Sequence, residues 1–174
     1  MAVAAVAALL GAGAPPDPVD ALLDALARAP TEQQAAALER QINLAWAAAV
    51  SPAVQLLEER AMQSLAHQDP RTAIGDLDAA LDLQPDLALL WRLHAEARFA
   101  NGDEAGATAD LAQALSRDKR CFPALVDLSQ FAESRGDYAG ALKAWQGMLA
   151  IDPKAPRGEA RLRALEGKAG GEPL

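Results

Sequence analysis

The sequence has little of what most protein chemistry requires. Its 174 residues include one cysteine, two histidines, one tyrosine, three phenylalanines and three tryptophans. A lone Cys121 closes no internal disulfide and by itself holds no zinc. It reads as a small buried apolar side chain, with a reactive or intermolecular thiol as the alternative. His67 and His94 have no Cys, His or carboxylate at a recognisable ligand spacing, so both read as surface or partly packed histidines. No G-x-S-x-G, G-x-x-x-x-G-K-[ST] or G-x-G-x-x-G occurs, so no nucleophile elbow or phosphate cradle is supported. The chain is therefore expected to be non-catalytic, without cofactor or metal.

Clustered positive charge is also missing. The formal net charge is -8, and residues 54–155 alone carry 16 acidic against 10 basic side chains. Nucleic-acid binding needs grouped Lys and Arg, so it is excluded as an expected function. No apolar run reaches the length of a membrane span; residues 2–10 form the longest and stop short of one. That run passes into "GAGAPPDP", which resembles the end of a secretory signal, with Ala12-Gly13-Ala14 as the small-residue cleavage pattern. No Lys or Arg precedes it, and Pro15 would follow the cut directly. Residues 1–16 are read as an export signal, implying a periplasmic protein, or alternatively as a disordered or Ala-rich tail of a cytoplasmic one.

What the chain does contain is Ala and Leu. Hydrophobic residues are 51% of it and aromatics only 4%, a composition rich in strong helix formers and poor in strand-like alternation. An all-α fold follows. Three stretches then align without a gap: "HQDPRTAIGDLDAALDLQP" from 67, "NGDEAGATADLAQALSRDK" from 101 and "RGDYAGALKAWQGMLAIDP" from 135, each 34 residues after the last. Asp69, Asp103 and Asp137 align, as do Ala73, Ala107 and Ala141, then Leu77, Leu111 and Trp145. Each Asp precedes a helical pattern and is placed to accept from its first N–H groups. Pro70 follows Asp69 where a missing N–H costs nothing. Gly102 and Gly136 permit the turn before two of them. A fixed period of this size marks a stacked repeat array.

The pattern resembles the tetratricopeptide repeat family, in units 54–87, 88–121 and 122–155. First-helix anchors fall on Leu57, Trp91 and Leu125, and the small residue admitting the second helix on Ala61, Ala95 and Ser129. The later small position of the second helix is Ala80 and Ala114, but Met148 in the third unit. Two departures stand out. Ser64, Arg98 and Ala132 occupy the family's first-helix aromatic position, and Arg60 and His94 replace the Leu kept at Leu128. The resemblance implies a right-handed α-solenoid.

Residues 17–53 read as a helical pair, with Thr31 and Gln34 forming a capping box. Leu22, Leu23 and Leu26 give the first helix an apolar face; Leu38, Ile42, Ala45, Trp46 and Ala49 give the second one. Extending the repeat backward puts Pro30 inside a helix and Glu39 at a small-residue position, so the pair is read as a non-repeat cap. Residues 156–174 read as a closing helix with Leu162 and Leu165 inward, Arg157, Arg161 and Arg163 outward, and a frayed "AGGEPL" tail.

In the family, ligands lie in the groove lined by first helices. Carried over, that groove comprises Gln55, Glu58, Glu59, Met62 and Leu65 from the first unit, Leu89, Arg92, Leu93, Glu96 and Phe99 from the second, and Val126, Asp127, Gln130 and Glu133 from the third. Five carboxylates there oppose Arg92, which implies a basic or amphipathic protein or peptide partner. The carboxylate clamp of chaperone-binding members would fall on Glu58, Met62, Leu93, Pro123 and Asp127. None matches its Lys, Asn and Arg, so chaperone tails are not expected to bind. Two functions are carried forward: an adaptor binding a partner segment in the groove, or an assembly subunit associating through end helices or the convex face.

Overall fold

A computed structural model describes residues 18–171 of the chain. The export-signal reading concerns residues 1–16 and lies outside the described residues. Among the described residues the chain is helical throughout: α1 (Pro18–Leu26), α2 (Glu32–Ala48), α3 (Pro52–Ala66), α4 (Pro70–Leu83), α5 (Ala88–Ala100), α6 (Glu104–Arg117), α7 (Phe122–Ser134), α8 (Tyr138–Ile151) and α9 (Gly158–Gly170). None of these helices is long and apolar enough to cross a membrane. Helices α3–α4, α5–α6 and α7–α8 pair as antiparallel neighbours, and each pair packs on the next.

Local rules place the helix boundaries. The carboxylates of Asp69, Asp103 and Asp137 accept from the backbone N–H of Thr72, Gly106 and Gly140 at 3.2, 2.9 and 2.9 Å. Pro70 is the first residue of α4. Gly102 and Gly136 adopt φ of 83° and 77° in the turns before α6 and α8, and Gln68 adopts 60° in the equivalent turn. The geometry of that turn is thus imposed by the repeat even where the residue is not glycine. Thr31 caps α2 by accepting from Gln34 N–H at 3.3 Å.

The helix pairs close on small residues. Ala61 with Ala73, Ala95 with Ala107 and Ser129 with Ala141 are all at most 1% exposed. Leu77 and Leu111 are fully buried and Trp145 nearly so, filling the space one turn further along the same face. Cys121 is fully buried at the start of α7, and burial pushes its thiol up to about 11. That matches a packing role and disfavours a reactive thiol.

Four expectations need correction. First, the N-terminal pair, read as a non-repeat cap, is seated away from the end face at α3. Leu23 and Leu26 of α1 and Ala35 and Ile42 of α2 share a buried cluster with α7, α8 and α9. The end face of the array is left open: Leu56 is 58% exposed, whereas Leu90 and Ala124, at the same register in the next units, are fully buried. Second, His94 is 1% exposed, with Nδ1 2.8 Å from Asp110 and Nε2 3.2 Å from Asp78. Third, Arg161 turns inward, 2.9 Å from Glu133 and stacked over the Trp145 ring at 4.9 Å. Fourth, the closing helix continues through Ala169 and Gly170 before Gly171 ends it at φ 78°; residues 172–174 lie outside the described residues.

The His94 correction explains the missing leucines. Arg60 lies 2.9 Å from Asp76, and His94 lies against Asp110. Asp76, Asp110 and Ala144 occupy one register position, as do Arg60, His94 and Leu128. Where the first helix is polar, the second supplies a buried carboxylate; where it is apolar, the second supplies alanine. Arg60→Leu alone should therefore destabilise the protein by about 1–3 kcal/mol, since it strands the Asp76 carboxylate. Arg60→Leu with Asp76→Ala, which copies the third unit, should recover most of that loss. Urea denaturation of the two singles and the double measures the coupling.

Candidate peptide-binding groove

First helices neighbour one another directly, α3 with α5 and α5 with α7. They form one layer of the array, and the second helices form the other. The sequence-derived groove residues sit on this layer, but the structure divides them into three groups.

The N-terminal ends of the first helices lie under α1 and α2. The side-chain amide of Gln55 donates to Val50 O at 3.3 Å. Val126 packs against the cluster that α1 and α2 share with α7. Glu58 and Leu89 line a cavity of about 400 Å³ together with Val19, Leu23, Trp46 and Arg117. Burial pushes the Glu58 carboxyl above its ordinary range.

In the middle of the layer the groups are already paired. The Arg92 guanidinium donates to Asp127 at 2.8 Å and lies 3.8 Å from Glu96. Burial raises the Asp127 carboxyl, and the Arg92 charge opposes that rise without cancelling it. Leu93 packs on the core shared with the first unit. Phe99 stacks face to face on Phe131, with centroids 3.9 Å apart.

Toward the C-terminal ends, Glu59, Met62, Glu96 and Gln130 are exposed, and Met62 is 59% so. Leu65 is half-buried in the first-unit core. Glu133 is neutralised from α9 by Lys168 at 2.8 Å and Arg161 at 2.9 Å; the hydrogen bond from Lys168 is the larger cause holding its carboxyl below the usual range. The first-helix layer is therefore less acidic than its own residues imply, because α9 contributes two cations that a count over the repeats omits. Glu58 and Glu59 keep no ion pair among the described residues.

The clamp positions lie on α3, α5 and α7. Glu58, Met62, Leu93 and Pro123 offer no cation, and Asp127 is committed to Arg92. Sequence reasoning missed the cover formed by α1 and α2. Two signals for it were present: Glu39 at a position where a repeat needs a small residue, and Phe122 as a large aromatic at a unit boundary. Trp46 meets that ring with centroids 5.5 Å apart.

No family model matches the chain. A tetratricopeptide repeat-containing protein of Rhizobium etli is 27% identical over 157 residues, covering 90% of this chain and 77% of that one. Among solved structures, the Sgt2 tetratricopeptide domain of Aspergillus fumigatus is similar at 22% identity and a TM-score of 0.64, over 72% of this chain and 88% of that one. The first such domain of Spaghetti (RPAP3), solved with the HSP90 peptide SRMEEVD, is similar at 18% identity and a TM-score of 0.63, over 70% and 98%. MamA is similar at 17% identity and a TM-score of 0.59, over 87% and 81%. The helix pairs built on the 34-residue register and these similarities together show that the chain has the α-solenoid fold of tetratricopeptide repeat arrays.

Proposed function

We propose that this chain is a non-catalytic protein-interaction module that takes a segment of a partner protein along its layer of first helices. The observation that carries the reading is the uncovered part of that layer. Exposed Met62 and half-exposed Phe99 supply apolar contact there, beside unpaired Glu59 and the partly screened Glu96. Apolar anchors with neighbouring carboxylates suit an amphipathic segment carrying basic residues. The structural relatives solved with chaperone peptides support peptide binding by this architecture, and the clamp positions argue for a different ligand class here.

Two outcomes test this. Peptides selected against the full chain from a displayed library should be enriched in Lys or Arg beside apolar residues. Their binding should weaken with salt, and Glu59→Lys or Glu96→Lys should weaken it about tenfold each. Unchanged affinity in both variants refutes the groove. In a calorimetric titration, SRMEEVD should show no binding tighter than about 1 mM; micromolar binding overturns the exclusion of chaperone tails.

A second reading, self-assembly, is favoured by the open end face at α3, where Leu56 is exposed in a register that buries its counterparts. Light scattering should then give a concentration-dependent dimer that Leu56→Glu reduces to monomer. A monomer at every concentration removes this reading.

A further inference from the structure

One register position holds three different residues beneath the N-terminal pair. Glu58, Arg92 and Val126 are equivalent residues of α3, α5 and α7. Val126 packs in the cluster that α1 and α2 share with α7. Arg92 is neutralised by Asp127 at 2.8 Å. Glu58 is half-buried and in no ion pair among the described residues. A second position repeats the pattern. Arg120 pairs with Asp20 and Asp24 of α1. Asp86, its equivalent one unit earlier, is itself a carboxylate and is in no ion pair among the described residues.

Both unpaired carboxylates line the cavity of about 400 Å³ between the N-terminal pair and the first-helix layer. Asp20 and Asp118 line it too, and among the described residues Arg117 is the one cation in its lining. That guanidinium is already committed. It stacks on Trp91 at 4.4 Å and donates to Pro85 O at 2.6 Å and to Gln113 Oε1 at 2.7 Å. Asp20 is held by Arg120, and Asp118 accepts from the Arg120 N–H at 2.8 Å. Asp86 stands just before the start of α5, whose N-terminal dipole offsets part of its charge. Glu58 has no such compensation. Burial alone pushes its carboxyl up, as expected of a carboxylate whose lost water nothing replaces. The rest of the wall is largely apolar, with Leu23 and Trp46 from the N-terminal pair and Leu87 and Leu89 from the array.

We propose that this cavity binds an organic cation, an ammonium or guanidinium group carried on an aliphatic stem, with Glu58 as its counter-charge. The volume falls at the lower end of the range for small-ligand clefts, enough for one such molecule or one long side chain. A cleft with apolar walls and charge of one sign concentrates ions of the other sign. Trp46 adds an aromatic surface that attracts a cation further. An anion would meet four carboxylates and an occupied guanidinium. A metal ion needs several converging oxygens, and no three His, Cys, Asp or Glu side chains among the described residues are placed to hold one. An uncharged apolar molecule would fill the walls and leave Glu58 without a partner. Stem and charge are thus both required. The cation can be a free amine or the Lys or Arg side chain of a partner segment; the chemistry is shared, and only the second source rests on the groove reading.

Titration of the full chain with n-hexylamine in low salt, followed by amide NMR shifts, tests this without any protein partner. The amine is protonated at neutral pH, like a lysine. Residues around Glu58, Leu89 and Trp46 should shift together, with a dissociation constant of about 1 mM or tighter. n-Hexanol and hexanoate keep the stem and lose the positive charge, and should bind at least about tenfold more weakly. Glu58→Gln should weaken hexylamine binding about tenfold and, because it removes an uncompensated carboxylate, leave the melting temperature unchanged or higher. Asp86→Asn should weaken binding as well, about threefold, and serves if Glu58→Gln does not fold. Hexanol binding as tightly as hexylamine, or unchanged affinity in both variants, overturns the proposal. A Lys-bearing peptide displaced by hexylamine identifies a partner's side chain as the source, and hexylamine binding without such displacement identifies a free amine; both outcomes uphold the pocket. Failure of Glu59→Lys and Glu96→Lys to weaken peptide binding refutes the groove and leaves the amine result standing.

Discussion

Everything in the array depends on how closely the two helices of a unit approach. Ala61 against Ala73, Ala95 against Ala107 and Ser129 against Ala141 carry almost nothing beyond Cβ, and all are buried. Interiors are packed to crystal-like density, so a side chain even one methylene longer at such a site must push the helices apart. Once the approach is fixed, the next turn of the second helix has a gap of set size, and Leu77, Leu111 and Trp145 fill it. Trp145 is larger than its counterparts because it also faces α9, where its indole N–H donates to Gly158 O at 3.0 Å. One spacing rule thus explains both the constant residues of the repeat and its largest deviation.

The same features were legible in the sequence because they are local. A cap three residues from its partner, an alanine four residues from a leucine and a glycine before a helix all recur at fixed offsets. The departures were less legible because their causes lie elsewhere in the chain. Arg60 and His94 look like defects in a first helix until Asp76 and Asp110 are found on the second. That exchange of an apolar contact for a polar one was in principle readable, since both positions hold the 34-residue register and change together from unit to unit. The pairing of Glu133 with Arg161 and Lys168 was not readable. It crosses from a repeat to a helix that has no register, and only packing of α9 on α8 brings the groups together.

The N-terminal pair exposes a different limit. Periodicity, capping and apolar faces placed α1 and α2 correctly as helices, yet said nothing about which surface they would meet. Stacking on α3 would have extended the array, and Glu39 opposes it: a carboxylate stands where close helix approach requires alanine. Lying across the ends of α4, α6 and α8 instead turns Trp46 toward Phe122, and Asp20 and Asp24 toward Arg120. A helix of 17 residues spans about 25 Å, and its two ends meet Gln84, through Ala49 O, and the α8–α9 turn, beside Glu32. Length and the misplaced carboxylate together select the crossing over the stack.

This crossing changes the kind of molecule the repeats make. In an open array each unit touches only its neighbours, and stability is close to a sum of local terms. Here Asp20 and Arg120, 100 residues apart, are in contact, and one buried cluster contains residues from α1, α2, α7, α8 and α9. The last unit therefore cannot loosen without disturbing the first helices, nor they without it. Such long-range closure raises the entropic cost of reaching the native state, since distant segments must meet before their contacts contribute. It also makes the α1–α2 pair the least local element of the fold. Its attachment relies on apolar area and on the pairing of Arg120 with Asp20 and Asp24, whereas the repeats beneath it are held by contacts spread along every helix.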